Sequence, residues 1–386
     1  MRVGVYLHYQ NTDDWPRFLD KSDAPPQRTD QEIIDEELAL ADLVEPLGFD
    51  SYWAVDHYGS PYAMTGGVLQ HLTHIAGRTK RIDVGTMVLV LPWYDPVQVA
   101  HQISVLDNML QGRKLTLCVG RGAAVREFDS FRIPMADARS RYKESLDVIR
   151  LALSQEWFEY DGERFKIPPT TVRPRFRNPQ WILDNMKAAW SSAESLPLAA
   201  HAGLGLLLTN QRSWQEYRQE VIDFNAIRAE HGWEPVQPTV TIRVSCFEDE
   251  AQAWDVMERY NLQAQHSSTL HYQLDDVERF LNTPGYEQYA KMAAKAPTDE
   301  QITAATARPQ AWGTPDQVFQ RLMDIRERTK AAEFVVLFRF GAMPAELAEQ
   351  SMRLFAKEVL PRVHAVEAKM DLTDDPGLDV PVVSNV

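Results

Sequence analysis

Cysteine is nearly missing: two residues in 386 cannot build a disulfide framework, which fits a protein of the reducing cytoplasm. No run of about 18 apolar residues occurs, so no membrane-spanning helix is expected. A strand-like segment begins within two residues of Met1, leaving no room for a signal peptide. Positive charge is in deficit, with 40 Lys+Arg against 55 Asp+Glu and a net −15 at pH 7, which argues against nucleic acid or another polyanion as partner. Several catalytic signatures are absent as well: there is no GxSxG, HExxH, CxxC or GxxxxGK[ST]. At 44% hydrophobic and 25% charged residues the composition is that of an ordinary globular chain, and a cytoplasmic enzyme is the expectation.

What is present is an alternation. Strand-like runs at Val3–Tyr9, Asp50–Val55, Ile82–Val90, Lys114–Val119, Met186–Trp190, Gly205–Thr209, Thr239–Phe247 and Glu333–Phe340 are separated by helical patterns. Strands this apolar are buried on both faces and imply a parallel sheet. Eight strand–helix units predict an α/β fold, a single (β/α)8 TIM barrel, with a doubly wound open sheet as the alternative. Residues from about 249 to 310 are polar and helix-prone without a strand, which predicts a helical insertion late in the chain. The expected organisation is one domain over 1–370 followed by a polar tail, 371–386.

Barrel active sites lie at the C-terminal strand ends. Those ends carry His8 and Tyr9; Asp56, His57 and Tyr58; Pro92 and Trp93; Gly120 and Arg121; Trp190, Ser191 and Ser192; Thr209 and Asn210; and Arg339 and Phe340. The set mixes aromatic surface with a few donors and suits a flat organic cofactor better than a metal. His57 is the proton-transfer candidate, since an imidazole exchanges a proton near neutral pH. Ser191, Ser192 and Ser195 open a helix after a strand, and with Arg121 and Arg139 they sketch an anion site, although plain N-capping also explains a serine there. The segment beginning Gly120-Arg121-Gly122 starts like a dinucleotide fingerprint. No helix is expected at Val125, however, so the chain has no visible nicotinamide site of its own. His71 and His74 share a helix face without a matching carboxylate, so no metal is expected. Cys118 reads as a buried hydrophobe and Cys246 as inert.

Six segments together resemble the bacterial luciferase-like family of flavin-dependent monooxygenases. They are GFDSYWAVDHYG (48–59), RTKRIDVGTMVLVLPWYDPVQVAHQISVLDNMLQGR (78–113), LCVGRG (117–122), REFDSFRIPMADARSR (126–141), SSAESLPLAAHAGLGLLL (191–208) and GTPDQVFQRL (313–322). The resemblance runs from Val3 to about Val363 and leaves the insertion poorly matched. It implies a TIM barrel with an FMN or coenzyme F420 site and a non-proline cis peptide at Met87–Val88. It also implies phosphate binding by Arg121, Arg139, Ser192 and Ser195, with Gly120 and Ser191 beside them, and a catalytic histidine at His57 flanked by Asp56 and Tyr58. Gly120 stands where luciferase has its reactive cysteine, and Arg339 where luciferase has no arginine, which implies a non-luminescent relative.

The activity so implied is that of a two-component, FMNH2-dependent monooxygenase. A separate NAD(P)H:flavin reductase supplies the reduced flavin, and O2 adds at flavin C4a. The resulting peroxide then inserts one oxygen into an apolar or ring-bearing substrate by hydroxylation or Baeyer–Villiger chemistry. Tyr9, Trp93, Phe338, Arg339 and Phe340 would line the substrate pocket. An F420-dependent dehydrogenase or reductase, and a flavin-binding relative without catalysis, are the alternatives on the same fold. A homodimer is expected from the resemblance alone.

Overall fold

Eight strands run parallel around one axis. They are β1 (Arg2–Tyr6), β2 (Ser51–Ala54), β3 (Asp83–Thr86, resumed at Leu89–Val90), β4 (Leu115–Thr116, resumed at Cys118–Gly120), β5 (Lys187–Ala188), β6 (Gly205–Leu208), β7 (Thr239–Cys246) and β8 (Glu333–Leu337). The computed structural model describes residues 1–189, 195–209, 213–293 and 297–372. Each strand pairs in parallel with the next, and β8 returns to β1 with Val3 opposite Phe334 and Val5 opposite Val336. The two halves of β3 pair with the two halves of β4, which closes the circuit into a TIM barrel. The peptide between the halves of β3, Met87–Val88, is cis.

Glycine placement shows how the barrel floor is filled. Trp53 on β2 is buried, and a Cβ at Gly4 on β1 or at Gly85 on β3 would stand within 2.7 Å of its indole. The two flanking strands therefore leave out side chains where the central one inserts its largest, which is how a small barrel packs without a pore.

The outer layer follows from ordinary helix signals. Helix α1 (Asp30–Val44) starts at a capping box between Thr29 and Glu32. Helix α2 (Val68–Arg78) follows β2, and α3 (Pro96–Met109) is capped by Asp95 with proline at its first position. Next comes α4 (Val125–Phe131), a helix that the sequence did not announce. Its N-cap is Ala124, which offers no side-chain oxygen, so the usual start signal is missing. A helix does follow the Gly120-Arg121-Gly122 turn, contrary to expectation; it is the closed barrel, not a missing helix, that sets this turn apart from an open-sheet dinucleotide site.

Helix α5 (Ala138–Ser154) leads into an antiparallel hairpin of Phe158–Asp161 with Lys166–Thr170. Helices α6 (Ser195–His201) and α7 (Trp214–Glu230) flank β6. Beyond β7 the long α8 (Glu250–Tyr272) and three short helices (Val277–Leu281, Glu287–Ala293, Asp299–Thr306) occupy the region without a described strand. A short strand, Ala311–Gly313, then pairs with β7. Helices α9 (Pro315–Thr329) and α10 (Ala345–Glu358) complete the shell. No helix among the described residues is long and apolar enough to cross a membrane.

Candidate functional site

The C-terminal strand ends open into a cavity of about 360 Å³, within the usual range for small-molecule sites. Its walls include Asp56 and His57 after β2, Met87 and Val88 between the halves of β3, Trp93 after it, Gly120 and Arg121 at the end of β4, and Thr241 and Arg243 on β7. Helix α8 and the turn after it roof the cavity with Gln265, Ser268, Tyr272 and Leu274.

At one wall His57 meets two groups that the strand-end reading did not contain. Its Nδ1 lies 3.1 Å from Oε1 of Glu127 on α4 and 3.1 Å from Nε2 of His271 on α8. Nε2 of His57 lies 3.3 Å from the Tyr272 hydroxyl. The Tyr58 amide donates to the same Glu127 oxygen at 2.6 Å, and Ser60 Oγ lies 2.7 Å from Nδ1 of His271. A proton on Nδ1 of His57, shared toward Glu127, leaves Nε2 as an acceptor.

Glu127 and His271 are fully buried, whereas His57 keeps a small exposed edge. Burial disfavours the Glu127 carboxylate, but the two imidazoles beside it outweigh that and hold it below the ordinary range. Burial lowers His271 to about 4, so this ring is neutral near pH 7. The facing atoms of His57, Glu127 and His271 all lie within 4.8 Å, a spacing that a metal ion would also accept. Hydrogen bonds join the facing atoms, and the other Glu127 oxygen, Oε2, is buried without a partner.

The second wall is cationic. Arg121 donates through Nη2 to the Gly285 carbonyl at 2.6 Å, and its guanidinium lies 4.2 Å from the Tyr286 ring centre. Tyr286 in turn donates to the Gly122 carbonyl at 2.9 Å. A Cβ on Gly285, which sits at φ +82°, would meet Nη2 of Arg139 at 2.7 Å and Nη1 of Arg121 at 2.8 Å, so both arginines converge under this turn. Nη1 of Arg121 is buried without a hydrogen-bond partner. A buried, unsatisfied guanidinium donor calls for an anionic oxygen, and on that count the residues fit a phosphate-bearing flavin. Ser195, the first residue of α6, lines the same cavity; Ser191 and Ser192 lie outside the described residues. Gly120 is required by its neighbour, since a Cβ there would stand 2.4 Å from Cγ2 of Val88.

Other expected site residues are placed elsewhere or act differently. Asp56 is buried and accepts from the amides of Val68 and Val90 and from the Tyr94 hydroxyl, which ties the β2 and β3 loops together. Burial pushes its carboxyl up to about 6. Tyr58 turns its hydroxyl to Tyr94 at 2.6 Å and serves His57 through its backbone amide on Glu127. Four members of the expected substrate pocket do not line the cavity. Tyr9, at φ +53°, points its hydroxyl to Tyr52 at 3.2 Å. Phe338 packs against Phe49 and Phe355 in the helix layer, and Phe340 lies 5.8 Å beneath the Arg243 guanidinium. Arg339 is buried in ion pairs with Glu36 at 2.5 Å and Glu37 at 3.4 Å, fastening the β8 end to α1. Trp93 alone of the five reaches the cavity.

Known proteins share this fold. The family model described as luciferase-like monooxygenase matches residues 18–332. The alkanal monooxygenase alpha chain of Photobacterium leiognathi is 25% identical over 353 residues, 88% of this chain and 96% of that one. The corresponding chain of the Kryptophanaron alfredi symbiont is 28% identical over 54% of this chain and 57% of its own length. Among solved structures, the oxygenating constituent of 3,6-diketocamphane monooxygenase from Pseudomonas putida, a type II Baeyer–Villiger enzyme in complex with FMN, superposes with a TM-score of 0.68. It is 19% identical, and the match covers 94% of this chain and 98% of that one. The coenzyme F420-dependent tetrahydromethanopterin reductase of Methanopyrus kandleri superposes with a TM-score of 0.62 at 18% identity, covering 94% and 99%.

Proposed function

The chain belongs to the luciferase-like monooxygenase family, and from that premise we propose that it is an FMNH2-dependent monooxygenase of the two-component type. The observation that carries this reading is the pairing, across one cavity, of an unsatisfied buried Arg121 donor with a buried His57–Glu127–His271 cluster. Arg121 and Arg139, with Ser195 and the serines before it, would hold the FMN phosphate. When bound, reduced FMN supplies the activation of O2 that no amino-acid side chain provides.

The protein's own work is positioning and proton control. Glu127 keeps the proton of His57 on Nδ1, so that Nε2, facing the Tyr272 hydroxyl, takes a proton at the cavity wall and returns it. Helix α8 roofs the cavity and limits water, which strengthens every polar contact inside. Val88 and Trp93 supply apolar surface for a flat ring. A separate flavin reductase supplies the reduced cofactor.

The test is isotopic. The purified protein is given FMNH2 by an NADH:flavin reductase under 18O2, with a panel of cyclic ketones and aromatic compounds. Transfer of one labelled oxygen to a product is the expected result. Turnover with reduced F420 and no label in any product would replace this reading with the F420-dependent one.

A further inference from the structure

One wall of the cavity carries a cation that the proposed oxygenation does not use. Arg243 lies on β7, in a strand otherwise made of apolar and small polar residues, and its side chain borders the cavity. Its Nη1 donates to the Asn261 amide oxygen at 2.6 Å, and its Nε is buried without a partner. Among the described residues no carboxylate stands within ion-pair distance of it. Arg243 is half-buried, whereas the more deeply buried Arg339 has Glu36 and Glu37, and Arg328 has Asp324 at 2.8 Å. A guanidinium whose Nε is buried without a partner, and whose side-chain hydrogen bond goes to a neutral amide, is costly to hold there unless a ligand completes it.

The surroundings define that ligand. His8 also lines the cavity; its Nδ1 is buried without a partner, and burial holds the ring well below its ordinary range, so it is neutral. The positive charge of Arg243 reaches His8, Tyr6 and Tyr62, all three on the cavity wall. This corner therefore combines a fork of donors with aromatic walls, and among the described residues no carboxylate pairs with its arginine. It is built from β7, the end of β1 and the loop after β2, whereas Arg121 follows β4.

We propose that Arg243 is the residue that selects the substrate, by pairing with an ionised oxygen, a carboxylate or phenolate, on a ring-bearing molecule. The proposal rests on the reading that this cavity admits an organic substrate beside the flavin. It narrows that substrate from apolar compounds in general to aromatic or alicyclic acids and phenols.

The experiment reads binding directly, without turnover, so a failed oxygenase assay leaves it intact. The full-length protein is titrated with 2-naphthoate and its methyl ester, and with 2-naphthol and 2-methoxynaphthalene, following naphthyl fluorescence. The wild type should bind at least one ionisable probe about tenfold or more tighter than its neutral partner, the effect of a charge-assisted hydrogen bond. The pair that shows the preference distinguishes carboxylate from phenolate. Arg243→Gln should erase it while FMN binding stays within about twofold, and Arg121→Gln should leave it in place. If Arg243→Gln does not fold, Arg243→Lys carries the test: it keeps the charge without the fork, and should weaken the preferred probe several-fold with the neutral one unchanged. No preference in the wild type, or one that survives at Arg243→Gln or is unaltered at Arg243→Lys, overturns the proposal.

Discussion

Nδ1 of His57 and Oε1 of Glu127 stand 3.1 Å apart, although 70 residues of chain separate them. Helix α4 follows the turn after β4 and delivers a fully buried carboxylate to that point. The pair fixes which nitrogen of His57 carries the proton. Glu127→Gln keeps the shape and removes the charge. Turnover should fall on the order of 100-fold, while FMN affinity changes by less than about threefold. Steady-state kinetics beside equilibrium titration separates the two effects; equal losses in both would assign Glu127 to flavin binding instead.

Gly120 is held by Val88. Introducing the luciferase-type cysteine by Gly120→Cys places a Cβ 2.4 Å from Cγ2 of Val88 and should cost about 1–3 kcal/mol of stability. Val88→Ala should recover much of that loss in the double variant, a coupling that a thermal or urea denaturation cycle detects. Additive losses would mean that the two positions do not touch.

The Arg121 guanidinium makes a sharper claim about the cofactor. Arg121→Gln should weaken FMN by about tenfold or more and riboflavin by less than about threefold, since only FMN carries a phosphate. Gly285→Ala should loosen the turn above both arginines, because its φ of +82° and the two guanidinium atoms below 3 Å leave no room for a methyl group. Faster hydrogen exchange over residues 283–286 in that variant is the expected readout.

The buried histidines fix a pH dependence. His271 has its folded-state value near 4, below the ordinary 6.5, and burial puts His71 near 4 as well. Between pH 4 and 6.5 the unfolded chain binds more protons at these sites, so their contribution to stability is present above 6.5 and lost as pH falls toward 4. Asp56, raised to about 6, acts in the opposite sense: it disfavours the folded state as pH rises through that range. His271→Gln should therefore lose less Tm than the wild type on going from pH 7 to pH 5, measured by calorimetry.

Much of this arrangement was legible in the sequence. The apolar runs gave the eight strands, and the rule of C-terminal strand ends brought His57, Trp93, Gly120 and Arg121 to one cavity. The same rule failed for Phe338, Phe340 and Tyr9, because β8 stops at Leu337 and β1 at Tyr6. Past those points the two-residue alternation no longer tells inside from outside. Glu127 was hidden by a helix without a capping residue, and His271 by its distance of 214 residues from His57. Arg243 did carry a signal, a lone cation within a buried strand, of the kind that marks a site.

The account stands most directly on the equilibrium binding of reduced cofactor, measured anaerobically with FMNH2, reduced riboflavin and reduced F420. It predicts saturable binding of FMNH2 at least about tenfold tighter than reduced riboflavin, with the advantage lost in Arg121→Gln. Saturable binding of F420 with none of FMNH2, or an FMNH2 affinity indifferent to Arg121, would contradict it.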